Sequence, residues 1–196
     1  MQRHRRYLTG LGALCLVFAA AACGGSKPSV PTAVPSAQTA PPSTTVDVTF
    51  GTDPTAFTYD KTQVPEGAHV QVVENVVNNT TKVTLTVQGL QPNRTYGAHV
   101  HKMPCGPTGE AAGTHFQHSP DPVKPSVDPA FANPTNEIWL DLTTDAKGDA
   151  TSSSTVPWTF TSPRAGSVVI HAEKTKTARG KAGTAGARLA CVSVGF

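Results

Sequence analysis

The sequence predicts an all-β domain, a sandwich or barrel, carried behind an export leader and an extended tether. Three observations predict it. The 196 residues include 17 Gly and 17 Pro, with 15% charged and 38% hydrophobic residues. Together with abundant Thr, Ser and Val, that balance favours short strands and turns. Alternating or β-branched runs separated by turn residues recur from residue 46 onward, and no stretch sustains the 3.6-residue period of a helix. The length allows one domain of ordinary size with room for tails.

Residues 1–22 read as an export signal. Arg3, Arg5 and Arg6 form a basic start, and an apolar run to Ala22 ends in small residues. Ala20-Ala21-Ala22-Cys23-Gly24-Gly25 resembles a bacterial lipobox. Cys23 is therefore expected to carry a lipid, anchoring the exported protein to the outer face of the bacterial cell membrane. The alternative is an ordinary secretion signal that contains Cys23. The apolar stretch falls short of the ~18–20 residues of a membrane-spanning helix. Residues 23–45 are Ser, Pro, Thr, Ala and Gln with a single charge at Lys27. Such a segment cannot bury enough apolar surface to offset its ordering entropy, so a disordered tether is expected.

The domain spans 46–196. Strands are expected at 46–50, 56–59, 69–74 and 83–87, with Asn78-Asn79 before Thr80-Thr81 as a hairpin turn. Gln91-Pro92-Asn93 turns the chain toward His99. Residues 106–136 are rich in Pro and Gly and too long for an idle connection, which marks a functional loop. Strands resume at 138–142, 150–156, 158–160 and 167–171, with 145–149 as a turn, and a second loop, 172–187, leads into a closing run, 188–196. The formal charge is +3, but from Thr45 onward 12 Lys and Arg face 13 Asp and Glu. Bulk charge therefore calls for no nucleic-acid partner.

Chemistry concentrates in Tyr96-Gly97-Ala98-His99-Val100-His101-Lys102-Met103-Pro104-Cys105. On a strand His99 and His101 leave the same face, with Val100 on the other. Two neutral imidazoles on one face make half of a copper or zinc site; the plain alternative is a half-buried face carrying satisfied histidines. A packing role is expected for Met103 rather than axial ligation. Of the four cysteines, the leader takes Cys15 and the lipid Cys23. Cys105 and Cys191 remain as an even pair in an exported domain, which favours a disulfide. A metal thiolate beside His101 is the alternative.

Gly97-Ala98-His99-Val100-His101, Cys105, Gly113-Thr114-His115-Phe116, Val168-Val169-Ile170-His171 and Gly186-Ala187-Arg188-Leu189-Ala190-Cys191 follow in a specific order. Over about residues 56–196 this resembles the copper/zinc superoxide dismutase family. The resemblance implies an eight-stranded Greek-key β-barrel, flattened toward a sandwich, with two long functional loops. It implies copper held by His99, His101, His115 and His171, a Cys105–Cys191 disulfide, and a substrate-guiding guanidinium at Arg188. It further implies superoxide as substrate, converted to dioxygen and hydrogen peroxide, with His115 bridging copper to zinc and delivering a proton.

The pattern departs from the family at the zinc site. Residues 119–137 contain no histidine, and 174–196 contain no Asp or Glu. Asp121, Asp128, Glu137 and Asp141 lack the family spacing, so copper without zinc is expected; His118, with Asp121 or Asp128, is the remaining route for zinc. His4 and His69 are read as non-functional. The second loop carries Lys174, Lys176, Arg179, Lys181 and Arg188 against Glu173, either a solvated basic loop or a guide for an anion. The expected function is a copper-dependent superoxide dismutase of the cell envelope. The alternative is a non-catalytic copper store or delivery protein. A cupredoxin-type electron carrier is discounted, because Cys191 has no histidine near it in sequence.

Overall fold

The computed structural model describes residues 43–196; the leader, Cys23 and the tether up to residue 42 lie outside them. Two antiparallel sheets form a flattened sandwich. In one, β1 (Ser43–Thr49), β3 (His69–Val77), β4 (Thr80–Gln88) and β7 (Ala150–Val156) lie in that order. In the other the order is β2 (Ala56–Thr58), β9 (Arg188–Ser193), β8 (Ser167–His171), β5 (Thr95–His101) and β6 (Leu142–Thr143). Strands β4 and β5 are consecutive but pair in opposite sheets, β4 with β7 and β5 with β8, the crossover connectivity of Greek-key folds. Among the described residues there are nine strands rather than eight, two of them, β2 and β6, being short strands at the edges of the second sheet.

Alternation decides which faces are buried. Val70, Val72 and Glu74 of β3 and Val83, Leu85 and Val87 of β4 are buried, while Lys82 and Gln88 are exposed. A two-residue turn joins these strands, with Asn78 and Asn79 at φ 49° and 59°. This primed turn matches the strand twist, and asparagine tolerates its left-handed backbone. Strand β1 begins at Ser43 and pairs fully with β3, so residues 43–45 of the stretch expected as tether belong to the first sheet.

Two expected strands differ. Residues 138–140 lie along β5 through Val100 N–H to the Ile138 carbonyl (3.2 Å) and Leu140 N–H to the Ala98 carbonyl (2.7 Å), but only Leu142–Thr143 forms a ladder. Residues 158–160 form no strand. Trp158 and Phe160 are nonetheless buried, packed with Phe116 and Phe196 at one end of the sandwich. Burial of these rings needs aromatic partners, not a ladder, and Pro157 and Pro163 have no amide to donate to one.

Strand β5 is buried on both faces. Ala98 and Val100 belong to the core, and the opposite face carries the histidines under the two loops. Gly97 permits that cover: a Cβ there would lie 2.6 Å from the Glu173 carbonyl oxygen and 2.7 Å from the Ala185 Cβ. The second loop folds back on itself through Glu173 N–H to Ala185 O (2.8 Å) and Lys176 N–H to Thr184 O (2.9 Å), so it passes over β5 as a fixed layer.

Cys105 and Cys191 form a disulfide, with Cα atoms 5.7 Å apart and a sequence separation of 86, which removes the thiolate alternative. It ties the start of the long loop to the last strand. In the chain-entropy account a bridge closing so long a loop contributes about 4–5 kcal/mol. Replacing both cysteines by serine is expected to lower unfolding free energy by up to that amount in a denaturant titration. A loss under ~1 kcal/mol would mean that the unfolded chain is not constrained by the bridge.

Candidate metal centre

Three segments deliver four histidines to one place. Strand β5 carries His99 and His101. The long loop returns beside its end, through Lys102 N–H to Thr114 O (3.0 Å) and Phe116 N–H to Val100 O (2.9 Å), and sets His115 opposite His101. Strand β8 ends at His171, where a register irregularity between Ile170 and His171 re-aims the chain, as bulges do. One ligand atom from each of His99, His101, His115 and His171 lies within 4.8 Å of the other three. Among the described residues this is the one such group of three or more His, Cys, Asp and Glu.

Hydrogen bonding assigns the tautomers, since a carbonyl or carboxylate oxygen only accepts. His101 Nδ1–H donates to Gly113 O (3.1 Å) and His171 Nδ1–H to Gly186 O (3.4 Å). His115 Nδ1–H donates to Glu137 Oε2 (2.8 Å). Thr175 Oγ1 donates to Asp141 Oδ1 (2.5 Å), so at 2.7 Å it accepts from His99 Nε2–H. Each ring is thus left with one bare nitrogen: Nε2 of His101, His115 and His171, and Nδ1 of His99. His99 Nδ1 is buried with no partner. The Nε2 atoms of His101 and His171 face each other at 3.4 Å with no proton left to share. Unpaired buried acceptors and opposed lone pairs are costly alone and are relieved by one cation among them. Four neutral imidazoles are a donor set that suits copper, so the residues fit that metal.

Desolvation holds the His99 and His101 pKa values well below the ordinary imidazole value, and the neighbouring histidines push the same way. The same causes lower His171 to about 3. The rings stay neutral and available as ligands at neutral pH. A stability consequence follows for the metal-free protein. Above 6.5 both folded and unfolded states are neutral. Between 6.5 and about 3 the unfolded chain binds protons that folded His171 refuses, so stability is lost as pH falls through that window. Thermal unfolding of metal-free protein from pH 7.5 to 4 should show a falling midpoint that copper offsets; a flat profile would contradict the neutral-ring assignment.

Arg188 lies beside the histidines, half-buried. Its Nη1 donates to Gly109 O (2.5 Å) and its Nη2 to Gly113 O (2.6 Å), the carbonyl that also accepts from His101. Desolvation lowers its pKa, yet a guanidinium keeps its charge in proteins. It lines a cavity of about 590 Å³ together with His115, His171, Lys124 and Lys176. Within the second loop, Lys176 pairs with Glu173 (2.7 Å) and Arg179 with Asp128 (3.6 Å).

The remaining sequence candidates fall elsewhere. His118 is exposed and stacked flat on Trp158, centroids 4.9 Å apart and planes 5° apart, outside the histidine group. Met103 is 54% exposed and does not fill a packing role. His69 bonds Asp47 on the surface of the first sheet. Glu137, read from sequence as a carboxylate without family spacing, is buried against the centre. Its Oε2 accepts from His115 and from Trp139 Nε1–H (2.7 Å). In this hydrogen bond the Nδ1–H of His115 is taken by Glu137. Sequence reasoning missed Thr175, which holds His99 from 76 residues away; nothing local marks such a threonine.

Residues 67–194 match the family model described as copper/zinc superoxide dismutase. Among solved structures, a Cu/Zn superoxide dismutase from Brucella abortus matches with TM-score 0.52 and 19% identity, over 76% of this chain and 99% of that one. A point mutant of a superoxide-dismutase-like protein from Bacillus subtilis matches with TM-score 0.50 and 17% identity, over 65% of this chain and 88% of that one. At such identities these two likenesses establish the fold alone. No curated protein sequence matches the chain at a significant level.

Proposed function

Because the chain belongs to the copper/zinc superoxide dismutase family, we propose that it is a copper-dependent superoxide dismutase of the cell envelope that works without zinc. The observation that carries the reading is the set of four bare imidazole nitrogens beside a cation-lined cavity. Copper, when bound there, would supply the one-electron exchange that turns superoxide into dioxygen and peroxide. His99, His101, His115 and His171 hold it. Thr175 and the Gly113 and Gly186 carbonyls fix three of the ring tautomers. Glu137 fixes the fourth, on His115, so that His115 Nε2 is the atom turned toward the metal. Arg188, locked by two carbonyls, presents positive charge to an incoming anion, with Lys124 and Lys176 adding to the field.

The leader with its lipobox, Cys23 in particular, supports an exported protein held to the outer face of the membrane by lipid. Membrane fractionation of wild type and Cys23→Ser tests that location; equal release of both would contradict it.

Metal analysis with a superoxide assay tests the function. Wild type is expected to hold one copper per chain and substoichiometric zinc, and to turn over superoxide. Arg188→Glu should slow the reaction more than Arg188→Ala. Added salt should slow wild type, because the Debye length falls from about 10 Å at 0.1 M to about 3 Å at 1 M. Copper without turnover would favour the non-catalytic store or delivery protein. Full zinc that disappears in His118→Ala would restore a second metal.

A further inference from the structure

We propose that Gln117 is a positioning residue that couples the His115–Glu137 pair to the segment 121–127, whose residues 124–127 form one wall of the cavity; this deepens the copper-site reading and rests on it. Gln117 is buried, as are Glu137 and Asp121, with exposures of 5%, 1% and 5%. Its amide stands between the two carboxylates. One Nε2 hydrogen goes to Glu137 Oε1 (2.8 Å) and the other to Ser126 Oγ (2.8 Å). Its Oε1 accepts from Asp121 N–H (3.0 Å). Ser126 Oγ–H then donates to Asp121 Oδ2 (2.8 Å), and Asp121 Oδ1 accepts from Val123 N–H (2.8 Å).

The direction of donation is fixed along the whole chain of bonds, because carboxylates only accept and the Gln117 nitrogen only donates. A neutral amide is the side chain suited to this place. It donates twice and accepts once while adding no charge between two buried carboxylates, whereas a glutamate there would confront both of them. Apolar replacements would leave Glu137 Oε1 and Asp121 N–H unpaired under cover.

The bonds end at both functional parts of the site. At one end Glu137 orients His115. At the other, Ser126, Lys124, Pro125 and Val127 line the cavity, and Val127 O accepts from Gly180 N–H (3.0 Å) of the second loop. Gln117 therefore sets the ring that faces the metal and the wall that faces the anion through one amide. Loosening it should disturb both together, which a residue that only fills space would not do.

The test compares wild type, Gln117→Leu, which keeps the bulk, and Ser126→Ala, which cuts only the wall end. Amide hydrogen exchange is followed with and without copper; the Cu(II) paramagnetic resonance spectrum and azide binding, with azide as the anion probe, are measured on copper-loaded protein. Gln117→Leu is expected to speed exchange at Asp121 and Val123 by about tenfold or more, the scale of one lost bond to a buried group. It should also shift the copper spectrum and weaken azide severalfold. Ser126→Ala should speed wall exchange and weaken azide while leaving the copper spectrum near wild type. An unchanged spectrum and unchanged azide affinity in Gln117→Leu would overturn the coupling, even if that variant melts earlier. If wild type takes up no copper, the metal-site reading is what fails. Exchange in metal-free protein then decides the coupling alone, and undiminished wall protection in Gln117→Leu overturns it.

Discussion

His99→Ala and His171→Ala are each expected to lose the single copper that wild type retains through dialysis against a chelator. The two positions test different parts of the site. His99 offers Nδ1 from the floor of β5, buried and without a partner, while His171 offers Nε2 from the end of β8, 3.4 Å from His101 Nε2. Removing a partner that merely orients a ligand lowers metal affinity by about 10–100-fold, so removing a ligand should exceed that. The metal-free variants should fold, because each substitution removes a ring that resists protonation and carries a bare nitrogen. Their acid stability should even improve, since the pH-dependent penalty belongs to those rings. Calorimetric copper titration and metal analysis check the result. Full copper retention in both variants would remove the assignment of the centre.

The second large effect is expected at Glu137. Glu137→Ala would strand His115 Nδ1–H, Trp139 Nε1–H and one hydrogen of Gln117 under cover. An unsatisfied buried donor costs about 1–3 kcal/mol, so a loss on the order of 3 kcal/mol or more in unfolding free energy is expected. Copper affinity should fall as well, by about 10–100-fold, because His115 loses the bond that fixes its tautomer. Glu137→Gln separates the two effects. It preserves shape and most of the packing, but one acceptor oxygen must now serve three donors. It should fold better than the alanine variant yet still bind copper less tightly than wild type. Denaturant titration and copper competition measure the two quantities independently. Wild-type copper affinity in both variants would mean that His115 is oriented by the loop backbone alone.

Arg188 shows how backbone and side chain share the work at the site. Its two hydrogen bonds go to carbonyls of the loop tethered by the disulfide, so the guanidinium is positioned before any anion arrives. The Gly113 carbonyl serves both Arg188 and His101, which joins the cavity-lining cation to one of the four clustered histidines through one atom.

The sequence by itself determined the all-β class, the hairpin at Asn78-Asn79, the common face of His99 and His101, and the pairing of Cys105 with Cys191. These are legible because they rest on short periods, on turn residues whose backbone preference is local, and on counting. The ordered motifs from His99 to Cys191 brought His115, His171 and Arg188 into the same expectation. Tertiary structure alone decided which groups support the ligands. Thr175 meets His99 and Asp141 meets Thr175 only because the second loop crosses β5 at Gly97. Glu137 meets His115 only because residues 138–140 lie along β5. His118, three residues from a ligand, turns away to stack on Trp158, whose burial depends on the aromatic cluster at the end of the sandwich. Hydrogen bonds of this kind join positions far apart in sequence, and a lone Thr, Gln or Glu in a loop carries no periodic or compositional signal. Their meaning arises from which side chains the sheets and loops bring within 3 Å of each other.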